Sequence, residues 1–300
     1  QVFNMKNIIT LFSFILIIAS CDVVEGPYEI DTGSSTPTDT NTYVKKILIE
    51  DFTGHTCPNC PSAARELEAI HNLYGNQIIG VAIHVSTGFA APWIGAGKFE
   101  YDFRTKWGND WDNFFDISNS GLPRGMVNRM GYPDNHKLGK NEWLSGVITE
   151  LEKEIDFGIN ITANINGDDG VITIDTEILS NINGDYNLVV CLTESNIINW
   201  QKDGQLDNES YIHNHVLRSM LNDNSLSTST SYNFGDKISN SLAINLTELE
   251  QYNKDYSSNT AVAGNGNAGG WNASNMSVIA YIYDNTTQEI LQVEETHLNN

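Results

Sequence analysis

The sequence predicts two folded parts: an α/β domain over residues 43–156 and an all-β sandwich, immunoglobulin-like or jelly-roll-like in type, over residues 157–300. Three observations carry this. A β-rich run, a helical stretch and a second apolar run follow one another between residues 43 and 86, the order of a βαβ unit with a parallel strand pair. From Phe157 onward the pattern changes to short runs of alternating apolar and polar residues separated by polar turns. The 300-residue length accommodates two domains of ordinary size.

Taken in order, residues 1–20 read as an export signal. Lys6 gives a short basic start, and "IITLFSFILIIA" is too short for a comfortable membrane span. The segment ends in "IASC", a small-residue site running directly into Cys21, which resembles a bacterial lipobox. That resemblance implies cleavage before Cys21 and a lipid on its sulfur, so that the chain is anchored to a membrane without spanning it. The alternative is an ordinary secretory signal with Cys21 incidental. Residues 21–42 are acidic and rich in Ser, Thr, Pro and Gly; they bury too little apolar surface to order themselves and read as a tether.

"YVKKILIEDF" (43–52) is the first strand. A helix is expected from Pro58, with Ala64, Leu67, Ile70, His71 and Tyr74 at helical spacing and Gly75 as its stop. "QIIGVAIHVS" (77–86) is apolar nearly throughout, as a strand covered on both faces is. An aromatic insertion (87–103), with Phe89, Trp93, Tyr101 and Trp107 in or near it, precedes a helix expected over 101–117. A loop into a short strand and a helix over 140–155 close the first domain. "FGINITANINGDDGVITIDTEI" is a hairpin about "NGDDG". "YNLVVCLTE", "YIHNHVLR", "SLAINLTEL" and "MSVIAYIYDNTTQEILQVEETHL" supply the remaining strands, with no further long helix expected.

The formal net charge is -22, and removal of residues 1–20 takes away only Lys6, leaving 15 basic against 38 acidic residues. Such a surface argues against nucleic acid and against anionic lipid headgroups as partners. Of four cysteines, Cys57 and Cys60 form a close pair, and Cys191 lies in an apolar strand as a buried, inert thiol. Scattered structural disulfides are therefore not the theme of this exported chain.

"HTCPNC" (55–60) is the stretch that carries chemistry. At a helix start, unsatisfied N–H groups and the positive end of the dipole favour a thiolate at the first cysteine. Pro58 suits the first helical turn, and the second cysteine, one turn on, is the resolving thiol. Asp51 stands six residues ahead of Cys57; alternation puts Glu50 on the opposite strand face, so at most one of the two lies beneath the dithiol.

The order "DF", "CPNC", helix, strand, insertion and "GLP" resembles the thioredoxin fold. The resemblance implies that Cys57 is the nucleophile and that Asp51 handles the proton of Cys60. It implies that Pro123 is a cis-proline packed against the pair, and that the backbone of Leu122 holds a substrate strand. Left to the residues alone, Asp51 also reads as an exposed strand-end acid and Pro123 as a trans turn proline. Thr56 stands where an aromatic residue is usual, and Arg124 where a small polar one is. An Arg124 that reached the site would stabilise the Cys57 thiolate and make the disulfide more oxidising.

Haem attachment requires CxxCH, and Pro61 follows Cys60, so no haem is expected. A zinc or copper site from Cys57, Cys60, His55 and His84 lacks a second paired motif. "IHNH" puts His213 and His215 on the same face of a strand, which a metal could also use, but a solvated face or hydrogen bonding to neighbouring carboxylates is the stronger reading. No cofactor and no metal are therefore expected.

The lipobox, "IEDFTGHTCPNCP", "IHNHVLR" and "NMSVIAYIYD" together resemble the outer-membrane-protein-28-related family of Bacteroidetes lipoproteins. That resemblance implies a thioredoxin-like domain, a C-terminal sandwich and an outer-membrane location. Two functions follow as expectations. One is a lipid-anchored thiol–disulfide oxidoreductase acting on exported proteins. The other is a surface adhesion or binding lipoprotein on a redox-inert scaffold, which complete burial of both sulfurs favours.

Overall fold

In the computed structural model, which describes residues 43–298, the chain is mostly β-sheet with a few helices and several sheets. The expected signal (1–20), the tether (21–42) and the lipidation position Cys21 lie outside the described residues. The first elements are β1 Ile47–Thr53, α1 Cys60–Tyr74, β2 Ile78–His84, α2 Lys106–Phe115, β3 Arg124–Val127 and α3 Lys140–Leu151. Then come β4 Phe157–Asn166, β5 Asp169–Ile178, β6 Ile182–Asn183, β7 Tyr186–Glu194, β8 Ile197–Asp203 and β9 Leu206–His213. The chain ends with β10 Val216–Ser225, β11 Ser231–Tyr232, β12 Lys237–Asn245, α4 Leu246–Asn259, β13 Met276–Asp284 and β14 Ile290–His297.

β1 and β2 are parallel in the register Ile47↔Ile78 to Thr53↔His84, as the βαβ reading requires, and β3 runs antiparallel to β1. Every residue of β1 is buried because both of its faces are covered. On one face Ile47 and Ile49 meet Leu67 and Ile70 of α1 and Trp143 and Val147 of α3. On the other, Leu48 and Phe52 join a second cluster with Trp111, Phe115, Cys191, Ile279 and Val293.

That second cluster spans both halves of the sequence, and this changes the domain picture. One seven-stranded sheet runs β14-β13-β7-β10-β2-β1-β3, and the described residues fall in a single compact unit. The expected boundary at 156/157 is therefore no break in the sheet. The sheet curls, so that Gln292 of β14 accepts from the Lys46 N–H at 3.0 Å and donates to the Val44 carbonyl at 2.9 Å. Lys46 also pairs with Glu294. The three-stranded sheet β12-β5-β4 packs across one face of β7 and β13, where Leu188, Val190 and Leu192 alternate with Val189 and Cys191 on the other face.

Three element assignments change. The helix expected over 101–117 is shorter because Thr105 caps it, accepting from the Gly108 N–H at 2.9 Å, while Asp102 and Arg104 ahead of it form a buried ion pair at 2.8 Å. α4 was not expected; Asn245 starts it by accepting from the Glu248 N–H, and its buried residues are only Leu246, Asn253 and Ser257. The run "YIHNHVLR" is broken, because His215 has a φ of 57° and separates β9 from β10.

Candidate functional site

β1 ends at Thr53, and residues 54–59 carry the chain over to α1. This crossing needs Gly54: a Cβ there would sit 2.3 Å from the Phe89 carbonyl oxygen. The same carbonyl accepts from the Thr56 N–H at 3.0 Å and from its hydroxyl at 2.9 Å. Thr56 thus clips the aromatic insertion to the loop. α1 begins at Cys60, two residues later than expected, with Pro61 rather than Pro58 in its first turn. Cys57 precedes it in a turn closed by its N–H donating to the Gly54 carbonyl at 3.0 Å.

Cys57 and Cys60 form a disulfide, with Cα atoms 5.5 Å apart. Both are buried, at 1% and 2% exposure. The cover is the hairpin β8–β9, which pairs with no strand of the main sheet. Lys202 N–H donates to the His55 carbonyl and Gly204 N–H to the Pro58 carbonyl, both at 2.8 Å. The Gln201 amide donates to the Cys57 carbonyl at 3.2 Å and to the Gly54 carbonyl at 3.3 Å. The hairpin thus takes up backbone acceptors around the disulfide.

Beneath the pair lies Asp51. It pairs with Ala82 and Gly125 across the sheet and faces α1, while Glu50 points the other way to Arg129. Asp51 borders a cavity of about 30 Å³ with Cys60, His84, Gln201, Tyr211 and His213. That volume admits a water molecule. The Oδ1 atom of Asp51 has no hydrogen-bond partner among the described residues, and burial raises its pKa to about 8. At neutral pH the carboxyl is therefore protonated in the folded state and ionised in the unfolded chain. Folding binds a proton between about pH 4 and 8, and stability falls as pH rises through that window. Asp51→Asn is expected to stabilise the protein by about 2 kcal/mol or more at pH 8. The gain should shrink toward pH 4; denaturant titrations of both proteins across this range check it.

Three buried histidines surround Phe103 beside the cavity. Ring centroids lie 5.7 Å away for His55, 4.6 Å for His84 and 4.5 Å for His213. Burial lowers the pKa of His55 to about 4 and of His213 to about 3, and that of His84 well below the usual imidazole value. All three are neutral at pH 7. Among the described residues no group of three or more His, Cys, Asp or Glu side chains has the geometry to hold a metal ion, and both cysteines of the weighed zinc or copper set are in the disulfide. His213 and His215 do not share a strand face: His213 borders the small cavity, while His215 lies beyond the break and borders a separate groove.

Of the expected site residues, Cys57, Cys60 and Asp51 come together. The Leu122–Pro123 bond is cis, and Pro123 borders a surface groove with Asn59 and Ser62 at the start of α1. Leu122 packs its side chain toward the interior cluster. Arg124 borders the same groove as Pro123, but its guanidinium donates to the Ser120 carbonyl at 3.1 Å, and its register partner Phe52 faces away from Asp51. The expectation that it acts on Cys57 gains no contact. Cys191 is fully buried, and burial pushes its thiol well up. Sequence reasoning missed Gln201 and Tyr211 as neighbours of the dithiol, since nothing in the polar run 197–213 signals a cover; His84, weighed only as a metal ligand with the two cysteines, borders the same cavity as Cys60.

The family model described as outer membrane protein Omp28 matches residues 110–300. The chain belongs to the outer membrane protein Omp28 family. With the Omp28 family goes its location, the outer membrane. The matched residues include Pro123 and the covering hairpin, whereas Asp51, Cys57 and Cys60 precede them. No curated protein matches the chain. Among solved structures, HBP35 of Porphyromonas gingivalis is similar over 86% of this chain and 77% of its own, with a TM-score of 0.59 and 16% identity. A protein of Agrobacterium tumefaciens covers 86% of this chain and 96% of its own at a TM-score of 0.48 and 12% identity. A domain of the outer membrane lipoprotein Omp28 of Porphyromonas gingivalis covers 48% of this chain and 89% of its own, at a TM-score of 0.28 and 18% identity. At such identities the likeness to HBP35 concerns the fold alone.

Proposed function

We propose that this Omp28-family chain is a lipid-anchored thiol–disulfide exchange protein of the cell envelope. It acts through Cys57 and Cys60 in a thioredoxin-like half and is held closed by the hairpin β8–β9. Cys21 carries the lipid, and the substrates are exported proteins with free or paired cysteines. The observation that supports this reading best is the buried Asp51 carboxyl, its Oδ1 without a partner among the described residues, in a one-water cavity shared with Cys60. A buried carboxyl without a partner costs stability, and such groups concentrate where protons are moved.

In the oxidising direction, a substrate thiolate attacks Sγ of Cys57 and breaks the Cys57–Cys60 bond. The Cys60 thiolate that leaves takes the Asp51 proton. A second substrate thiolate then attacks the substrate sulfur of the mixed disulfide and releases Cys57. Two electrons pass from the substrate dithiol, which becomes a disulfide, to the protein disulfide, which becomes a dithiol; the reverse sequence reduces a substrate. The hairpin must move first, because Cys57 is covered.

A second reading rests on that cover. With both cysteines buried and three hairpin groups bonded around them, the disulfide is a fixed staple, and the β-rich part binds a partner. The reduction potential separates the two. Equilibration of the full chain in defined thiol buffers, read by alkylation and mass, is expected to give a value between about -120 and -270 mV. Cys57→Ser is expected to abolish reduction of insulin. A potential below roughly -300 mV, or unchanged activity in Cys57→Ser, would sink the exchange reading.

A further inference from the structure

Among the described residues β2 has one fully paired edge and one that is paired at a single position. β1 pairs along its whole length, but β10 meets it only at Val216↔Ala82, where the Ala82 N–H donates to the His215 carbonyl at 2.7 Å. Successive residues of a strand direct their N–H and C=O groups to alternate edges. Ile78 and Gly80 therefore direct theirs the same way as Ala82, away from β1. The Ile78 N–H donates to the Gly75 carbonyl, but no hydrogen bond among the described residues takes up the Ile78 carbonyl or the Gly80 N–H and carbonyl on that side, although both residues are buried. Buried backbone groups are paired in the great majority of cases, so a vacant pair of this kind calls for a partner.

The space these groups face is a groove of about 690 Å³ between α1 and the hairpin. Leu67 and His71 of α1 form one wall, and Asn208, Ser210 and Ile212 of β9 the other. Asp51 and Tyr211 border its inner end as well as the small cavity. The Asp51 Oδ1 atom, unpartnered among the described residues, is therefore a second polar group without a mate at the same place. Among the described residues β9 pairs only with β8, so its outer edge also fronts the groove. The rim of the groove carries Glu68, Arg65, which is paired with Asp203, and the imidazoles of His71 and His215.

We propose that this groove binds an extended segment of another polypeptide, added as a strand to the β2 edge at Ile78 and Gly80. Residues two apart in an extended peptide repeat at about 6.6 Å, the spacing of the Ile78 and Gly80 groups, so one peptide strand satisfies both. The volume lies in the range of ordinary ligand pockets. Leu67 and Ile78 give one apolar seat, so the bound segment carries an apolar residue flanked by polar ones facing the Asn and His rim. Its inner end comes within reach of Asp51. The site uses neither sulfur, so it stands or falls separately from the exchange reading.

The test uses the full chain with Cys57→Ser and Cys60→Ser, which removes thiol chemistry. In the free protein the amide of Gly80 should exchange with deuterium faster than those of Ile79 and Val81, which face β1. A displayed pool of random short peptides should yield binders that slow exchange at Gly80 by about tenfold or more. Ser210→Trp, an exposed position on the wall, should abolish their retention. Equal exchange at the amides of Ile79, Gly80 and Val81 would mean that the edge is already closed. Retention of no peptide above an unrelated-protein control, or binders that leave Gly80 unchanged, would equally overturn the proposal.

Discussion

Reduction of the Cys57–Cys60 disulfide by a water-soluble phosphine is expected to accelerate by about tenfold or more between pH 7 and 4.5, relative to an unstructured disulfide peptide under the same conditions. The cause is the company the disulfide keeps. His213 ends the covering hairpin, and His55 lies in the loop whose carbonyl the hairpin bonds. Both rings are neutral and buried against Phe103. When the hairpin lifts, these rings meet water and regain an ordinary affinity for protons. A histidine whose folded pKa is depressed gives the closed state its full advantage above about pH 6.5. That advantage is lost as pH falls toward about 4 for His55 and about 3 for His213. At pH 4.5 each ring contributes roughly two decades toward opening.

One group opposes them. Asp51 is protonated in the closed state below about pH 8 and would ionise on opening, so acidification removes a cost of closure worth roughly 2.5 decades over the same interval. The two histidines outweigh it by about 1.5 decades, or roughly 2 kcal/mol, and His84, depressed in the same direction, adds to them. The other charged groups nearby are Asp102 and Arg104 beside His55, and Arg218 near His84 and His213; Asp102 and Arg104 are paired with each other and Arg218 with Glu194. Two variants separate the contributions. Asp51→Asn should steepen the acid acceleration, and His213→Phe, which keeps the packing on Phe103 and removes a titrating ring, should flatten it. A rate ratio that stays level from pH 7 to 4.5 in the wild type and in Asp51→Asn would mean that the hairpin does not gate the disulfide.

The sequence made the βαβ unit legible for a physical reason: β1 and β2 are apolar on both faces because both faces are covered, and the helix between them has an apolar stripe and a Gly stop. The alternation that separated Asp51 from Glu50 follows from strand geometry and puts each on its own side of the sheet. The cover of the dithiol was not legible. Residues 197–213 are polar because β8–β9 has only one side against the protein, and the bonds that hold it run through backbone atoms and Gln201, which leave no pattern in side-chain polarity. α4 escaped notice because only Leu246, Asn253 and Ser257 are buried along its length, and two of these three are polar. The single sheet across residue 156 was hidden for another reason. Curling is a long-range pairing, fixed by β14 meeting residues 44–46, and local periodicity carries no trace of it.

Arg129→Met is expected to destabilise the protein by about 3–5 kcal/mol and to lower the midpoint of thermal unfolding by roughly 10 °C. Arg129 follows β3 with a φ of 56° and turns into the interior, where it is 2% exposed. Its Nη2 donates to Glu50 Oε1 at 2.8 Å and to the Tyr281 hydroxyl at 2.7 Å, and its Nε donates to Glu50 Oε2 at 3.0 Å. The guanidinium also lies 4.7 Å from the centre of the Phe115 ring. One cation thus ties β1, α2 and β13 together on the face of the sheet away from Asp51. Desolvating two charges offsets most of what their attraction provides, so the pair as a whole adds little net stability. Removing only the cation is another matter, because Glu50 is left buried without its counter-charge. The double variant Glu50→Gln, Arg129→Met should therefore recover a large part of the loss, and a double-mutant cycle read by denaturant unfolding measures how much. If the double variant is as damaged as the sum of the two single ones, packing of the Arg129 side chain rather than the stranded carboxylate sets the cost. The link between the first half of the sheet and the last would then be steric rather than electrostatic.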